Sequence, residues 1–291
     1  MSTARYRAFV AVANQGSLSA AARSLNLSQP TISAQISALE QRSEVELFYR
    51  RGYRMSLSPA GEQLLPIAQK ILALDAEAEF FLRDSGQLNQ GTLNLGAVGP
   101  FHVIEMVAAH RLRHPGIQVA IRMGNSKQVL ADLERYATDI GVLAGLHDSP
   151  GLEALLYACH PIILFAHKDH PLARHDSVPI ARLQGVEMLR REAGSTTQAA
   201  MDATLQAAGV HTPCALEVGS REALREAVAH GLGLGAVSEA EFIPDPRFKP
   251  IRIDGDPAST STYLHFVRER RASLLIQSFL QALGMAQQEA S

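Results

Sequence analysis

The sequence predicts an α/β protein built from a small helical head, one long helix and a two-lobed body. Three observations lead to this prediction. Short helical patterns separated by turn residues fill the first part of the chain, an apolar heptad pattern runs through residues 60–88, and strand-like and helix-like segments alternate from residue 92 onward. Such alternation is typical of parallel-rich sheets covered by helices.

Length and composition indicate a globular protein of two or three units. The chain has 291 residues, of which 46% are hydrophobic and 19% are charged, and these values exclude a disordered protein. There is neither an apolar stretch of about 18 residues nor an export-type signal, so we expect a cytoplasmic protein without a membrane segment. The two cysteines, Cys159 and Cys214, are expected to be buried thiols in different lobes.

Charge is distributed unevenly along the chain. Residues 1–61 contain seven arginines, no lysine and three glutamates, a net charge of +4, whereas the whole chain carries −2. The remaining residues therefore carry −6. A basic first fifth on an acidic body suggests that this segment alone faces a polyanion such as DNA.

The head contains three predicted helices. The first ends at Gly16, the second covers 20–25 with Ser19 as its N-cap, and the third begins after Ser28. Pro30 lies in the first turn of the third helix, where its missing N–H costs nothing. Two helices joined by a short turn, the second with a polar face, form the unit that enters the major groove of double-stranded operator DNA.

The third helix has an apolar face and a polar face. Ile32, Ile36 and Leu39 recur at helical spacing and predict the buried face. The candidate contacts to base edges and phosphates are Ser28, Gln29, Pro30, Thr31, Ser33 and Gln35. The alternative is a three-helix bundle with no role in DNA binding.

An arginine-rich segment after the third helix argues against that alternative. Residues 47–59 predict a short β-wing. Its arginines suit the phosphates beside the groove, and they are Arg50, Arg51 and Arg54.

The head carries several ordered motifs. They are Phe9-x-x-Val12-Ala13-x-x-Gly16-Ser17-x-x-x-Ala21-Ala22-x-x-Leu25-x-x-Ser28-Gln29-Pro30-Thr31-Ile32-Ser33, Ala38-Leu39-Glu40, Leu47-Phe48-x-Arg50 and Ser58-x-Ala60-Gly61. Together they closely resemble the winged helix-turn-helix of the LysR-type transcriptional regulators. The resemblance implies a DNA-binding domain at 1–59 in a regulator, not an enzyme. The chain departs from the family at Ser43-Glu44-Val45, where the usual Leu-Gly-Val has a glycine that eases a turn.

Residues 60–88 predict one long helix with an apolar seam. The seam occupies the a and d positions of a heptad pattern, at Leu64, Ile67, Ile71, Leu74, Ala78, Phe81 and Leu88. Pro66 can kink or restart this helix. A seam this long needs a partner, and the same helix of a second subunit supplies it in a homodimer or homotetramer. The LysR-type resemblance implies the same pairing, and the alternative is packing of the helix on its own domain.

The body, 92–291, divides into two lobes of alternating strands and helices. Strands are predicted at 92–98, 118–123, 140–144, 187–190, 215–218, 234–237 and 263–267, and helices at 102–113, 128–135, 196–208, 221–230 and 272–283. We expect lobe I at 92–163 plus 266–291 and lobe II at 164–265, with a ligand cleft between them. This pattern resembles the periplasmic-binding-protein-like effector domain of LysR-type regulators, so the resemblance covers essentially the whole chain.

Four loops that lead from a strand to a helix are the candidate effector-binding segments. Free N–H groups and the helix dipole attract anions at such positions. The candidate residues are Gly99, Pro100, Phe101, His102, Asn125, Ser126, Ser195, Thr196, Thr197, Ser220 and Arg221. The alternative for each loop is ordinary N-capping, but the three consecutive hydroxyls at 195–197 exceed what a cap requires.

A second set of motifs lies in the body. They are Gly124-Asn125-Ser126, Gly194-Ser195-Thr196-Thr197, Gly219-Ser220-Arg221-Glu222-Ala223, Gly231-Leu232-Gly233 and Val237-Ser238-Glu239-Ala240-Glu241. They look like those of the LysR-type subgroup associated with aminoethylphosphonate catabolism. The implied effector is 2-aminoethylphosphonate or a related phosphonate or phosphate, an oxyanion that suits hydroxyl-rich loops. The alternatives are a carboxylate or sulfonate effector and, more distantly, a thiol-based redox sensor.

Other motifs carry less weight. The segment His167-Lys168-Asp169-His170 precedes a proline in a predicted surface turn, and no further ligands cluster with it, so we expect no metal. The glycines of 231–235 lead from helix to strand, the reverse of a dinucleotide-binding loop. No catalytic motif occurs, no cofactor beyond the small anionic effector is expected, and RNA polymerase is a candidate partner. A solute-binding or enzymatic protein, the competing class, would need an export signal or such a motif.

Overall fold

The computed structural model describes residues 3–52, 54–84, 91–255 and 257–286. The chain separates into two compact units. The first unit contains the described residues up to Val142, together with Ser149–Glu153 and those from His265 onward. The second unit contains Leu143–Asp148 and Ala154–Leu264. The chain passes from the first unit to the second between residues 153 and 154 and returns between residues 264 and 265. The sequence-based lobe boundaries were placed between residues 163 and 164 and between residues 265 and 266.

The head is a three-helix core at the start of the first unit. Its helices are α1 (Thr3–Gln15), α2 (Leu18–Ser24) and α3 (Gln29–Ser43). Phe9, Ile32 and Ile36 are fully buried in its core, as their spacing predicts. The predicted cap of α2 was wrong by two residues, because the Oγ atom of Ser17, and not that of Ser19, accepts the N–H of Ala20.

The predicted wing is a two-stranded antiparallel hairpin of β1 (Phe48–Arg51) and β2 (Arg54–Leu57). It is fixed to the head in two ways. The rings of Phe9 and Phe48 lie 5.3 Å apart, and the N–H of Met55 donates to the carbonyl of Gly16 at 2.8 Å.

The turn before the wing forms without the family's glycine. Glu44 ends α3 in the left-handed conformation, with φ of 52° and ψ of 34°, and its N–H donates to the carbonyl of Glu40. A residue with a Cβ atom pays about 1–2 kcal/mol in this conformation, so the departure from the family costs stability but leaves the turn in place.

The linker helix, α4, runs from Pro59 to Asp84 with Pro66 inside it. The motif at its start has a steric reason, since a Cβ atom on Gly61 would lie 2.2 Å from the carbonyl oxygen of Leu47. The Oγ atom of Ser58 caps the helix by accepting the N–H of Gly61 at 3.0 Å. Residues 85–88 of the predicted linker, including the seam residue Leu88, and the side chain of Phe81 lie outside the described residues.

The rest of the first unit is built on parallel strands. β3 (Gly91–Ala97) pairs with β4 (Ile117–Met123) on one side and with β5 (Ile140–Ala144) on the other. The helices α5 (Pro100–Arg113) and α6 (Ser126–Glu134) follow β3 and β4. The closing helix, α9 (Leu274–Ala282), packs on α5. These elements match the predicted strand and helix order.

The second unit contains two sheets. In one, the long strand β6 (Leu152–His167) pairs antiparallel with β10 (Gly235–Ser238) and with β11 (Phe248–Ile253). The strand β12 (Ser259–Val267) lies beside β6, and β7 (Ser177–Val178) pairs parallel with β11. In the other, β8 (Met188–Arg191) and β9 (Cys214–Val218) are parallel and are followed by α7 (Thr196–Ala207) and α8 (Arg221–Ala229). Short 3₁₀ turns occupy Pro171–Arg174, Ile180–Leu183, Glu239–Glu241 and, back in the first unit, Arg268–Arg270.

Both cysteines are exposed, so the prediction of buried thiols was wrong. Cys159 lies on β6 and Cys214 on β9. Both belong to the second compact unit, whereas the sequence-based lobes place them on either side of the 163/164 boundary.

Candidate DNA interface and effector site

The start of α3 is capped and exposed. The Oγ atom of Ser28 accepts the N–H of Thr31 at 3.2 Å, and the hydroxyls of the two residues lie 2.7 Å apart. Ser28, Gln29, Pro30 and Thr31 are all exposed. The first turn holds no acidic residue, so the positive end of the helix dipole is not neutralised by a carboxylate in that turn.

The remaining predicted contacts of α3 are less accessible. Ser33 and Gln35 are half-buried. Ser19, which does not cap α2, instead donates its hydroxyl hydrogen to the Oε1 atom of Gln29 at 2.9 Å. This bond between the two helices had no signal in the sequence pattern.

Two arginines of the wing have no carboxylate partner within the described part of the chain. Arg50 and Arg54 are exposed on β1 and β2. Among the described residues, neither forms an ion pair, whereas Arg7 of α1 lies 3.6 Å from Asp75 of α4. The Cα atoms of Arg51 and Arg54 are partners across the hairpin, and the side chain of Arg51 is outside the described part.

Charged residues connect the linker helix to the regulatory part of the first unit. Lys70 of α4 pairs with Glu269, which also accepts the hydroxyl of Tyr136 at 3.3 Å. One residue further on, Arg270 pairs with Asp139, with 2.5 Å between Nη1 and Oδ1. The Arg270 and Asp139 side chains are only 7% and 8% exposed, so this is a buried pair. The Nε atom of Arg270 also lies 3.6 Å from Glu77 of α4, and Asp139 also accepts the backbone N–H of Asn94 at 2.7 Å.

The first predicted effector edge lies in the first unit. β3 and β4 are parallel neighbours, so the loops at 99–102 and 124–126 follow strands that end on the same side of the sheet. Gly99 is the N-cap of α5 and provides no side-chain cap. Pro100 is exposed, Phe101 is half-buried, and the side chain of His102 is 12% exposed with Nδ1 4.0 Å from Glu105.

The loop before α6 is an ordinary capping box. The Oδ1 atom of Asn125 accepts the N–H of Gln128 at 2.9 Å, and the Gln128 side chain accepts the N–H of Asn125 at 3.0 Å. Asn125, and not Ser126, is therefore the cap. At this loop the capping interpretation explains the side chain of Asn125 completely.

The second predicted effector edge lies in the second unit, where α7 and α8 begin at the carboxyl ends of parallel strands. Arg191 and Val218, the last residues of β8 and β9, are paired, so both helix starts lie at the same end of this sheet. Ser195 and Ser220 cap the helices by accepting backbone N–H groups three residues on, at 3.3 and 3.1 Å. A hydroxyl that accepts a capping bond keeps its O–H as a donor.

The hydroxyls of this second edge differ in what they can still bind. The backbone N–H of Glu222 itself and, second, a bond from the hydroxyl of Ser220 hold the pKa of Glu222 below its usual value, so the Ser220 hydroxyl is already in use. Thr196 and Thr197 are half-buried in the first turn of α7. Neither threonine hydroxyl has a hydrogen-bond acceptor among the described residues.

The arginines of the second edge are paired. Arg191 donates to both carboxylate oxygens of Glu192 at 2.7 Å, and this contact holds the pKa of Glu192 below its usual value. Arg221 contacts both oxygens of Glu241, with Nε–Oε2 at 2.9 Å and Nη2–Oε1 at 3.0 Å. The edge therefore combines helix dipoles and hydroxyls with neutralised cations.

The described residues contain no group of three or more histidine, cysteine, aspartate or glutamate side chains placed to hold a metal ion. Within the same ranges, no helix has the length and apolarity needed to cross a membrane.

A basic winged helix-turn-helix joined to a separate α/β body defines the class of DNA-binding transcriptional regulators. Two family models match the chain: "Bacterial regulatory helix-turn-helix protein, lysR family" over residues 3–62 and "LysR substrate binding domain" over residues 86–288. The chain therefore belongs to the LysR family. This confirms the predicted fold class, an α/β protein with an N-terminal winged helix-turn-helix, a linker helix and a two-lobed periplasmic-binding-protein-like effector domain.

Curated relatives are regulators of similar length. CmpR, a transcriptional activator of Synechocystis sp. (strain PCC 6803), is 27% identical and covers 96% of this chain and 93% of its own. The CbbR regulators of Xanthobacter flavus and Cereibacter sphaeroides are 30% and 32% identical, over 94% and 83% of this chain and 85% and 80% of their own. These relatives are CmpR- and CbbR-type regulators, not enzymes, and they do not support the phosphonate-catabolism subgroup.

Solved structures share the fold. A full-length variant of OxyR from Pseudomonas aeruginosa superposes with a TM-score of 0.77 at 20% identity, covering 100% of this chain and 99% of its own. CbnR in complex with its target DNA gives 0.69 at 23%, covering 98% and 100%. The regulatory domain of Synechocystis PCC6803 CcmR, in complex with 2-PG, gives 0.60 at 25%, covering 68% and 97%.

Proposed function

We propose that this LysR-type regulator binds its operator through the start of α3 and through the wing. In this proposal the base-contacting set is Ser28, Gln29, Pro30, Thr31, Ser33 and Gln35, and the phosphate-contacting set is Arg50, Arg51 and Arg54. The observation that supports it most is the exposed, capped start of α3, which has no carboxylate in its first turn. Short polar side chains at such a helix start reach base edges and phosphates.

The base-contacting set is tested with duplex DNA that the full-length chain selects from a random pool. We expect Gln29→Ala, Pro30→Ala or Ser33→Ala to weaken binding to this selected site by about tenfold, since a specific base contact is worth about 1–3 kcal/mol. Gln41→Ala is the matched control, because Gln41 is exposed near the end of the same helix. Unchanged affinity in all three variants contradicts groove contact by α3.

We propose further that the regulatory domain binds a small oxyanion at the second-unit edge formed by Ser195, Thr196, Thr197, Ser220 and Arg221. Helix N-termini supply N–H donors and partial positive charge, and the two threonine hydroxyls lack acceptors in the described structure. The proposed effector is a phosphonate or phosphate, with 2-aminoethylphosphonate as one member, because such an oxyanion can accept from several of these donors at once. The contribution of the first-unit loops, 99–102 and 125–126, stays a prediction.

One solved relative provides a ligand for the test of the effector class. The CcmR regulatory domain, 25% identical, was solved with 2-PG. A carboxylate or sulfonate effector uses the same kind of donors, so the ligand panel has to contain both. The redox alternative has a specific form, because Cys159 and Cys214 are both exposed and free in the second unit.

Titration calorimetry on the full-length chain tests the effector proposal. The panel is 2-PG, 2-aminoethylphosphonate, inorganic phosphate, acetate and methanesulfonate. We expect the phosphorus oxyanions to bind best and Thr196→Val to weaken them by about tenfold to a hundredfold, since a charge-assisted hydrogen bond contributes roughly 1.5–3 kcal/mol. Thr204→Val is the matched control, because its hydroxyl bonds the carbonyl of Ala200 within the same helix. Preferred binding of acetate or methanesulfonate overturns the phosphorus assignment.

The redox alternative is tested in parallel. A variant with Cys159→Ser and Cys214→Ser retains the shape of both side chains and removes both thiols. We expect its DNA binding with and without peroxide to equal that of the wild type. A peroxide response that only the wild type shows would identify a thiol sensor.

We also propose that the chain pairs through α4. Ile67 and Leu74 are 56% and 48% exposed on this helix, whereas Leu64 packs on the head core. Replacing Ile67 and Leu74 with Asp places charge in the seam, so we expect sedimentation to show a smaller assembly. Ala76→Asp adds one aspartate on the opposite face and is the control. An unchanged assembly moves the interface elsewhere and leaves dimer or tetramer formation to another surface.

A further inference from the structure

We propose that Ser19 is a positioning residue for DNA recognition, because it orients the side-chain amide of Gln29. The Ser19 hydroxyl donates to the Oε1 atom of Gln29 at 2.9 Å. Ser19 is free for this contact because Ser17 provides the N-cap of α2. The inference rests on the proposed contact of α3 with base edges and adds a residue of α2 to it.

The two residues are brought together by the turn between the helices. Asn26 adopts the left-handed conformation with φ of 53°, and the N–H of Leu27 donates to the carbonyl of Ala22 at 2.9 Å. This tight turn brings the start of α3 next to the start of α2. Gln29 is the first residue of α3 and is exposed, so within the described residues only Ser19 fixes its amide.

A fixed amide matters because glutamine has three rotatable side-chain bonds and two chemically different ends. Ordering such a side chain at an interface costs conformational entropy, and the Ser19 bond lowers that cost before DNA arrives. The bond also fixes the orientation of the amide, that is, on which side Oε1 and Nε2 lie. Oε1 is held toward Ser19 and the two Nε2 donors extend to the other side, while Oε1 retains a second lone pair.

This orientation predicts a defined reading of the DNA. An amide with a fixed order of donor and acceptor matches an adenine, which presents an acceptor at N7 and a donor at N6, in one direction along the groove. A freely rotating amide matches either direction. Ser19 therefore contributes discrimination between orientations of one base pair, without touching the DNA in this proposal.

The test compares Ser19→Ala with two matched variants. Ser19→Thr retains the hydroxyl, and Ser24→Ala removes an exposed hydroxyl of the same helix that bonds only the carbonyl of Ala21. Binding is measured to the selected duplex, to every single-base-pair variant of it, and to random-sequence DNA. We expect Ser19→Ala to bind the selected duplex about two- to tenfold more weakly, and its discrimination at one base pair to be lost. We expect Ser19→Thr and Ser24→Ala to bind as the wild type does, and all variants to bind random DNA equally.

A double-variant cycle separates positioning from direct contact. If Ser19 acts through Gln29, Ser19→Ala causes no further loss in a Gln29→Ala background. A full further loss in that background, or an equal loss on random DNA, overturns the proposal because Ser19 then acts on the phosphates or on the fold. If Gln29→Ala itself binds the selected duplex normally, it is the base-contact proposal that fails at this residue, and Ser19 has no function through it.

Discussion

The wing and the second-unit effector edge both carry arginines that can face an anion, but these arginines differ in whether they are paired with carboxylates. On the wing, Arg50 and Arg54 are exposed and form no ion pair among the described residues. At the effector edge, Arg191 is held by Glu192 and Arg221 by Glu241. The wing thus presents free charge, whereas the edge presents charge that is already compensated.

This difference between free and paired arginines fits the different sizes of the two anions, DNA and a small effector. DNA is a continuous polyanion, so free arginines gain affinity from counterion release at every phosphate without needing a shaped site. A small effector has to be distinguished from the many anions of a cell, and compensated arginines lower the affinity for any anion that cannot also satisfy the hydroxyls and helix N–H groups. We therefore expect variants of paired and of free arginines to have three effects, which differ in size.

The largest effect is expected at the most deeply compensated arginine, Arg270. Arg270→Met removes the cation beside the buried Asp139, which then keeps only its bonds from Asn94, and breaking a buried pair costs about 3–5 kcal/mol. Urea unfolding of the full-length chain measures this loss. Arg268→Met is the control, because Arg268 is exposed and makes only a 3.4 Å contact with the carbonyl of Leu152. Adding Asp139→Asn to Arg270→Met should restore part of the lost free energy of unfolding. An unchanged free energy of unfolding in the single variant would mean that burial does not determine how much this ion pair contributes to stability.

The second effect concerns the free arginines. Replacing Arg50 and Arg54 with Gln should weaken selected and random DNA alike, and make the salt dependence of binding shallower by about two units, one for each lost phosphate contact. Arg113→Gln is the control, because Arg113 lies at the end of α5 and donates to the carbonyl of Gln281. Weaker binding to the selected duplex alone would show that the wing contacts bases. The wing would then be a shaped site, as we propose for the effector edge.

The head was predictable because its motif residues act locally. Ser28 caps the helix that follows it, and Gly61 lies against the carbonyl of the nearby Leu47. The choice between Ser17 and Ser19 as the cap of α2 was not predictable, since two serines stand two residues apart and the backbone of Ser17, not composition, decides it.

The strands β6, β7 and β11 were not predicted from the sequence, and for β6 and β11 the cause is different. β6 contains Pro161 and β11 contains Pro250, and proline inside an apolar run argues against a strand. Neither run alternates apolar and polar residues cleanly, so neither gave a period-two signal.

The compensation of the effector-edge arginines was hidden for a third reason. Arg221 of the edge and Glu241 lie 20 residues apart, and Arg270 and Asp139, a pair of the first unit, lie 131 apart. Local patterns contain no information on such distant pairs, so the sequence could locate the hydroxyls of the edge but not the neutralisation of Arg221.

The smallest effect tests that neutralisation directly. Glu241→Gln keeps the size of the side chain and removes the charge that Arg221 contacts. An ion pair of this partly exposed kind is worth about 0.2–1 kcal/mol, so its release should tighten the binding of inorganic phosphate by no more than about fivefold. Glu239→Gln makes the same change of charge in the same short turn, but Glu239 pairs with Arg252. Calorimetry should therefore find tighter phosphate binding in Glu241→Gln and little change in Glu239→Gln. Equal tightening in both would mean that net charge, and not the release of Arg221, sets the affinity. Weaker binding in Glu241→Gln would mean that the glutamate orients the arginine toward the ligand, and that pairing assists recognition at this edge instead of restraining it.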